Sequence, residues 1–259
     1  MKARKALFWC AFVIVLGVFV FSGYKIVSYM LEAEKSDGAV DTLIKKAVTK
    51  TEIKNTDDPG KPTEKAEYAP IQVDFEQLKS ESPEIVGWLF CEDTVIDYPI
   101  MQTDNNSYYL NHLYNGKKNA NGSLFMDYRN TCDFYDLNNV VYGHNMNSGK
   151  MFGSFMKYKK QEYFDEHPVF YLLTPQGDYR IEIVAGMVTD PDSEIYEIPN
   201  DREGRDRLVR FAMDKSTFVS GVEVSGEDRL ITMSTCSYEH RDARYVLLGR
   251  LVELARQQD

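Results

Sequence analysis

Cys236 closes the run Asp228-Arg-Leu-Ile-Thr-Met-Ser-Thr-Cys236, and six polar or polar-tipped residues, Ser237, Tyr238, Glu239, His240, Arg241 and Asp242, follow at once. Read as a strand, the run puts Leu230, Thr232, Ser234 and Cys236 on one face and Ile231, Met233 and Thr235 on the other. The thiol then ends a strand at a mouth that a substrate can reach, because a core cysteine is not usually followed by so polar a stretch. A cysteine nucleophile needs its thiolate form and a neighbour that takes up and returns a proton, a task that histidine suits near neutral pH. The chain has four histidines. His112 in a polar helical segment and His167 before Pro168 read as surface residues. His144 ends the strand-like Val140-Val-Tyr-Gly-His, after a glycine that permits an unusual backbone turn. His240 lies four residues past Cys236, and on the residues alone the two are even candidates. Arg244 opens the next apolar run. Paired antiparallel with the strand of Cys236 it returns to the same mouth, where its fixed and always charged donors suit a substrate carbonyl or an oxyanion. On position alone a surface ion pair with Asp242 or Glu239 is the simpler reading of Arg244, and Arg241 is its rival.

The elements that must position these groups are short. From about residue 71, apolar runs alternate with Gly, Asn, Asp and Pro clusters, giving eight predicted strands: 85–90, 94–101, 123–127, 139–143, 169–174, 179–189, 229–236 and 244–252. Period-two alternation is clearest in Ile181, Ile183, Ala185 and Met187, which share one face, with Glu182 and Val184 on the other. Eight strands at this spacing favour a mainly β barrel or sandwich, and a small eight-stranded barrel is filled by its own side chains. Helices are expected as insertions at 74–80, 106–112, 151–157 and 201–215, the last with Leu208, Val209, Phe211 and Ala212 inward and its charges solvated. With residues 191–199 that last helix makes a long excursion between two strands, and such excursions are often functional.

Ahead of this region, Ala6 to Tyr24 form an uncharged run of about the ~20 residues a helix needs to cross a bilayer. Lys2, Arg4 and Lys5 precede it, so the positive-inside bias holds the N-terminus in the cytoplasm and sends the rest outward. A retained anchor is preferred to a cleaved signal peptide, because the run exceeds a usual apolar core and no small-x-small site follows cleanly. Residues 31–48 carry Val40, Leu43, Ile44, Ala47 and Val48 at the spacing of a short amphipathic helix, and residues 49–68 read as a charged, Pro- and Gly-broken stalk. The division expected is an anchor at 1–30, a helix and linker stalk at 31–69 and a catalytic domain at 70–259. The first thirty residues hold four basic groups and no acid, leaving 26 basic against 40 acidic residues outside. An acidic ectodomain is repelled by phosphate backbones, which argues against nucleic-acid binding. Of four cysteines, Cys10 lies in the apolar run; Cys91, Cys132 and Cys236 lie beyond it, and three thiols cannot all pair. No metal-ligand spacing and no phosphate-binding loop is present, so no cofactor is assigned.

Taken together, the motifs resemble the sortases, and within them class B. Thr232-Met-Ser-Thr-Cys236 is similar to the TLxTC signature, with methionine for the usual leucine, and Val141-Tyr-Gly-His144-Asn matches the histidine motif of the family. Cys236-Ser-Tyr-Glu239 with Asp242-Ala-Arg244-Tyr-Val-Leu-Leu-Gly-Arg-Leu251, and Gly122-Ser-Leu-Phe-Met-Asp-Tyr-Arg-Asn130, resemble two further class B segments. The resemblance spans roughly residues 70 to 252. It selects His144 over His240 and Arg244 over Arg241. It implies a closed eight-stranded sortase-type β-barrel with N-terminal helices and a helix-bearing, substrate-facing loop at 190–217. It also implies a cysteine transpeptidase that cuts a sorting motif near the C-terminus of secreted proteins. The product is held as a thioester and passed to an amine of a cell-wall precursor or a pilin lysine. Cys236 would attack, His144 would shuttle the proton and Arg244 would stabilise charge, with Asn106, Leu110 and Ser234 lining the peptide groove. The competing readings are a cell-wall cysteine peptidase and a non-catalytic anchored binding module.

Overall fold

In the computed structural model, residues 2–51, 68–237 and 239–256 are described. The chain opens with α1 (Lys2–Ala47), a single 46-residue helix that carries the apolar run and continues without interruption into the expected amphipathic segment. By length and composition this helix can cross a membrane. The far end of α1 passes directly into β1 (Val48–Lys50), which pairs antiparallel with β2 (Ile71–Val73), so that Val48 faces Val73 and Lys50 faces Ile71. The rest of the expected linker, residues 52–67, lies outside the described residues. α2 (Phe75–Glu81) follows, its first turn capped by the Asp74 carboxylate accepting from the Gln77 amide at 2.9 Å.

The eight expected strands are all present. They are β3 (Ile85–Phe90), β4 (Asp97–Met101), β5 (Leu124–Met126), β6 (Asn138–Tyr142), β7 (Val169–Leu173), β8 (Asp178–Thr189), β9 (Arg229–Cys236) and β10 (Arg244–Leu254). They close into a barrel in the order β10-β8-β7-β3-β4-β5-β6-β9. Among the described strands only β4 with β5 and β6 with β9 run parallel. β4 starts three residues later than expected because Thr94 folds back, its hydroxyl donating to the Cys91 carbonyl at 2.9 Å. The interior is filled by side chains such as Ile181, Ile183, Ile231, Met233, Tyr245 and Leu247, joined by Phe152 and Phe155 from the 3-10 helix Phe152–Lys159. A short helix that the sequence reading missed, α3 (Gln161–Glu166), follows it.

The expected common face of Ile181, Ile183, Ala185 and Met187 is not kept. Leu248 pairs with Ala185 and Gly249 with Ile183, leaving Val184 as an extra residue. A bulge of this kind reverses the facing of everything beyond it. Ile181 and Ile183 therefore join the interior, while Ala185 and Met187 join an outer cluster with Leu208, Val209 and Ala212 of α4 (Arg202–Asp214). The cap of α4 is Asp201, whose carboxylate accepts from the Gly204 amide at 2.7 Å. Each fully buried Leu or Val of this seam contributes about 1.5–3 kcal/mol. The charges of α4 are not all solvated as expected. Arg205 is 2% exposed and donates to the carbonyls of Gly226 at 2.9 Å and Asp228 at 2.7 Å, tying the helix to the approach of β9.

Candidate active site

β6 and β9 run parallel, so their C-terminal ends reach the same rim of the barrel, with Tyr142 beside Ser234. β10 returns antiparallel and begins there, with Arg244 directly opposite Cys236. Beyond Tyr142 the chain stays on β9. The Gly143 amide donates to the Ser234 carbonyl at 3.0 Å, and the Asn145 side-chain amide donates to the Cys236 carbonyl at 2.8 Å. His144 is thus held between two bonds to the last turns of the cysteine strand. The three expected catalytic residues meet at one rim, each half-buried, although they are separated in sequence.

The alternation expected for β9 holds. Ile231 and Met233 fill the barrel, Leu230 packs under α4, and Thr232 and Ser234 bond outward to Asn138 and Tyr196. Cys236 continues that outer face, beside the 3-10 turn Glu194–Tyr196. Burial pushes the Tyr196 phenol up to about 12; its bond to Ser234 and the nearby Arg244 charge pull the other way, and Cys236 raises it further. Arg244 and Cys236 are therefore both within electrostatic reach of the Tyr196 hydroxyl. That hydroxyl stays protonated and shares a 2.8 Å bond with Ser234.

The imidazole Nε2 of His144 lies 2.7 Å from the carbonyl of Leu110, fixing the ring from the opposite side of the mouth. The unusual turn that Gly143 would permit is not a left-handed one. The need for glycine is space, because a Cβ there would stand 2.4 Å from Leu124 and 2.7 Å from Phe152. His240 is exposed, 3.7 Å from Asp190. His112 and His167 are half-buried at the surface, and His112 stacks flat on Tyr108. Arg244 turns Nη1 onto the Asp242 and Ala243 carbonyls at 2.8 and 3.1 Å, while Nε and Nη2 have no protein partner among the described residues.

Of the three expected groove residues, the Leu110 side chain is exposed and the Asn106 side-chain oxygen Oδ1 accepts from the Tyr128 amide at 2.9 Å. Ser234 is buried beneath Tyr196, so its hydroxyl meets that phenol and not open solvent. Residues missed in the sequence reading complete the site. Asp127 is fully buried and accepts from Arg129 Nε at 2.9 Å, Arg129 Nη2 at 2.8 Å and the Tyr142 hydroxyl at 2.9 Å. Burial alone would raise the Asp127 carboxyl, but the bonds from Arg129 and Tyr142 outweigh it and hold the group below the usual range. Arg129 also donates to the Tyr196 carbonyl at 3.0 Å, fastening the cover over Ser234. The available signal was the segment from Gly122 to Asn130, matched as a motif without a role.

The chain is 36% identical over 256 residues to sortase B of Listeria monocytogenes, across 97% of this chain and 99% of that protein. It belongs to the sortase B family. A Bacillus anthracis protein described as similar to sortase B has a similar structure, with a TM-score of 0.69 and 28% identity over 88% of this chain and 98% of that one. A Staphylococcus aureus sortase B–substrate complex superposes with a TM-score of 0.66 and 27% identity, over 70% of this chain and 85% of that one. No protein-family profile matches. As a class B sortase the protein is a cysteine transpeptidase on a closed eight-stranded barrel, with an N-terminal helix apolar enough to serve as a membrane anchor.

Proposed function

We propose that this sortase cleaves a C-terminal sorting motif of secreted proteins through a thioester on Cys236 and passes the product to an amine acceptor. The Cys236 thiolate attacks the scissile carbonyl, and the carbon–nitrogen bond breaks as His144 gives its proton to the departing amine. His144 then takes a proton from the incoming amine, which displaces the thiolate and forms the new amide. Arg244 stabilises the oxyanion of both steps with donors that cost no reorganisation. Asn106, Leu110 and Ser234 line or support the peptide groove, Ser234 acting from beneath Tyr196. The acceptor is an amine of a cell-wall precursor or a pilin lysine. Residues 6–24 cross the membrane once, with the N-terminus cytoplasmic and the catalytic domain outside. On this reading residues 1–30 form the tip and anchor and 70–259 the catalytic domain, while the segment between is joined to that domain through β1.

The observation that carries the reading is the pairing of Arg244 with Cys236, on a strand whose last carbonyl is bonded to the residue after His144. The test is a peptide library of LPxTG-like and NPxTN-like sequences, incubated with and without an amine acceptor and read by mass. Acceptor-dependent ligation, lost in Cys236→Ala and reduced in Arg244→Ala, is expected. Cleavage indifferent to acceptor would point to a peptidase, and unchanged turnover by Cys236→Ala would reject the mechanism.

A further inference from the structure

α1 does not leave the barrel where its apolar run ends. From Glu32 onward it lies on the catalytic domain; its far end pairs Lys46 with Glu81 of α2, and before that its contacts reach two segments that hold His144. The first segment follows Leu110, whose carbonyl meets the imidazole. The Asn119 side chain donates to the Glu32 carbonyl at 2.8 Å, the Ala120 amide reaches the Glu32 carboxylate at 3.3 Å, and the Asn119 amide is itself bonded to the Asn111 carbonyl at 2.9 Å. The second segment is the loop that His144 opens. Its two ends are drawn together by the bridge between Asn145 and Met151 and by the Phe152 amide on the His144 carbonyl at 3.1 Å. Lys150 of this loop pairs with Asp37 of α1 at 2.5 Å.

The loop needs such support. Met151 has φ 48°, a left-handed conformation that an ordinary side chain adopts only where its surroundings impose it. Its amide is 3.3 Å from the Tyr98 hydroxyl, and its side chain is buried in the cluster that Val40 of α1 packs against. Further along α1, Leu43 is fully buried with Tyr109 and Tyr114. The main chain of His144 is therefore held by its own loop and its imidazole by the Leu110 carbonyl, and one helix leans on both supports.

We propose that the docked half of the anchor helix positions His144, with Asp37 and Lys150 as a positioning pair that couples α1 to the histidine loop. This rests on the proton-shuttling role of His144 given above. In this arrangement the barrel is not a domain on a loose tether: the helix that leaves the membrane is part of the scaffold of the site.

The full chain in phospholipid nanodiscs tests it through Asp37→Lys, which sets like charges against each other at an exposed position. The kcat for peptide transfer should fall about three- to tenfold with KM little changed, since an exposed ion pair and its reversal are worth roughly that factor. The swap Asp37→Lys with Lys150→Asp should restore kcat to within about twofold of the original. The imidazole NMR resonances of His144 should move in the single variant and return in the swap, while the unfolding midpoint falls by no more than about 2–4 °C in the single variant. Original kcat and unmoved resonances in Asp37→Lys overturn the positioning role, as does a loss that follows the unfolding midpoint and is not restored by the swap. His144→Ala separates the two layers. If it is inactive while Asp37→Lys is normal, only the positioning falls; if it keeps full turnover, the proposed role of His144 falls and the positioning with it.

Discussion

Arg129→Ala probes the polar joint that fastens the site's cover to the barrel. The side chain supplies two charged bonds to the buried Asp127 carboxylate and one to the Tyr196 carbonyl, while the Arg129 amide and the Tyr142 hydroxyl would remain on Asp127. Removing one partner of a buried pair typically costs ~3–5 kcal/mol. Arg129 is 44% exposed, so water can re-solvate the abandoned carboxylate, and a loss of about 2 kcal/mol is the better expectation. For a domain of this size that is roughly a 4–8 °C fall in unfolding midpoint at pH 7. The pH dependence has a definite sign. Asp127 is held below its unfolded value of about 3.9, so its stabilisation is complete well above that pH and is lost as the pH falls through the native value. In the variant burial is no longer opposed by the guanidinium, so the carboxyl protonates more readily. The gap between the two proteins should therefore narrow as the pH drops below about 4. Thermal unfolding followed by circular dichroism from pH 7 to pH 3 measures both. A midpoint change under about 1 °C at neutral pH, or a gap that widens in acid, would refute the reasoning.

Three further outcomes follow from the same packing. Burial pushes the Cys91 thiol up to about 12 while Cys132 is exposed and Cys236 half-buried, so a thiol-directed alkylating reagent at pH 8 should modify Cys132 and Cys236 and leave Cys91 intact in peptide mass mapping. Arg205→Met should lower stability by about 1–3 kcal/mol in denaturant unfolding, because the carbonyls of Gly226 and Asp228 before β9 lose a charged donor. Gly143→Ala forces a methyl against Leu124 and the buried Phe152, so about 1–3 kcal/mol of stability and much of the transfer activity should be lost together.

The barrel was legible because its strands are written locally. Val169 to Leu173 and Arg229 to Cys236 are apolar or alternating runs between turn residues, and the rim carrying the site follows from where β6, β9 and β10 begin and end. What escaped depends on partners far away in the chain. The bulge at Val184 arises from the pairing of β8 with β10, some sixty residues on, and no local pattern announces the change of face. Arg205 looks like one charge of a solvated helix until Gly226 and Asp228 supply its acceptors. The segment after the apolar run looked separable from the barrel, but Leu43 and Val48 find their partners in Tyr109 and Val73. Within the site the residue types were visible and the supports were not. The Asn145 bond to the Cys236 carbonyl spans ninety-one positions, and the Leu110 carbonyl near the His144 ring is a main-chain group that side-chain reasoning does not weigh.

The central claim is that chemistry passes through one sulfur atom, and intact-mass analysis of the enzyme quenched in acid during turnover of a sorting peptide tests it most directly. The account predicts an adduct equal to the N-terminal cleavage product, mapped to the peptide containing Cys236, released by hydroxylamine and absent in Cys236→Ala. An adduct on another residue, or transfer at the normal rate with no dependence on Cys236, would contradict it.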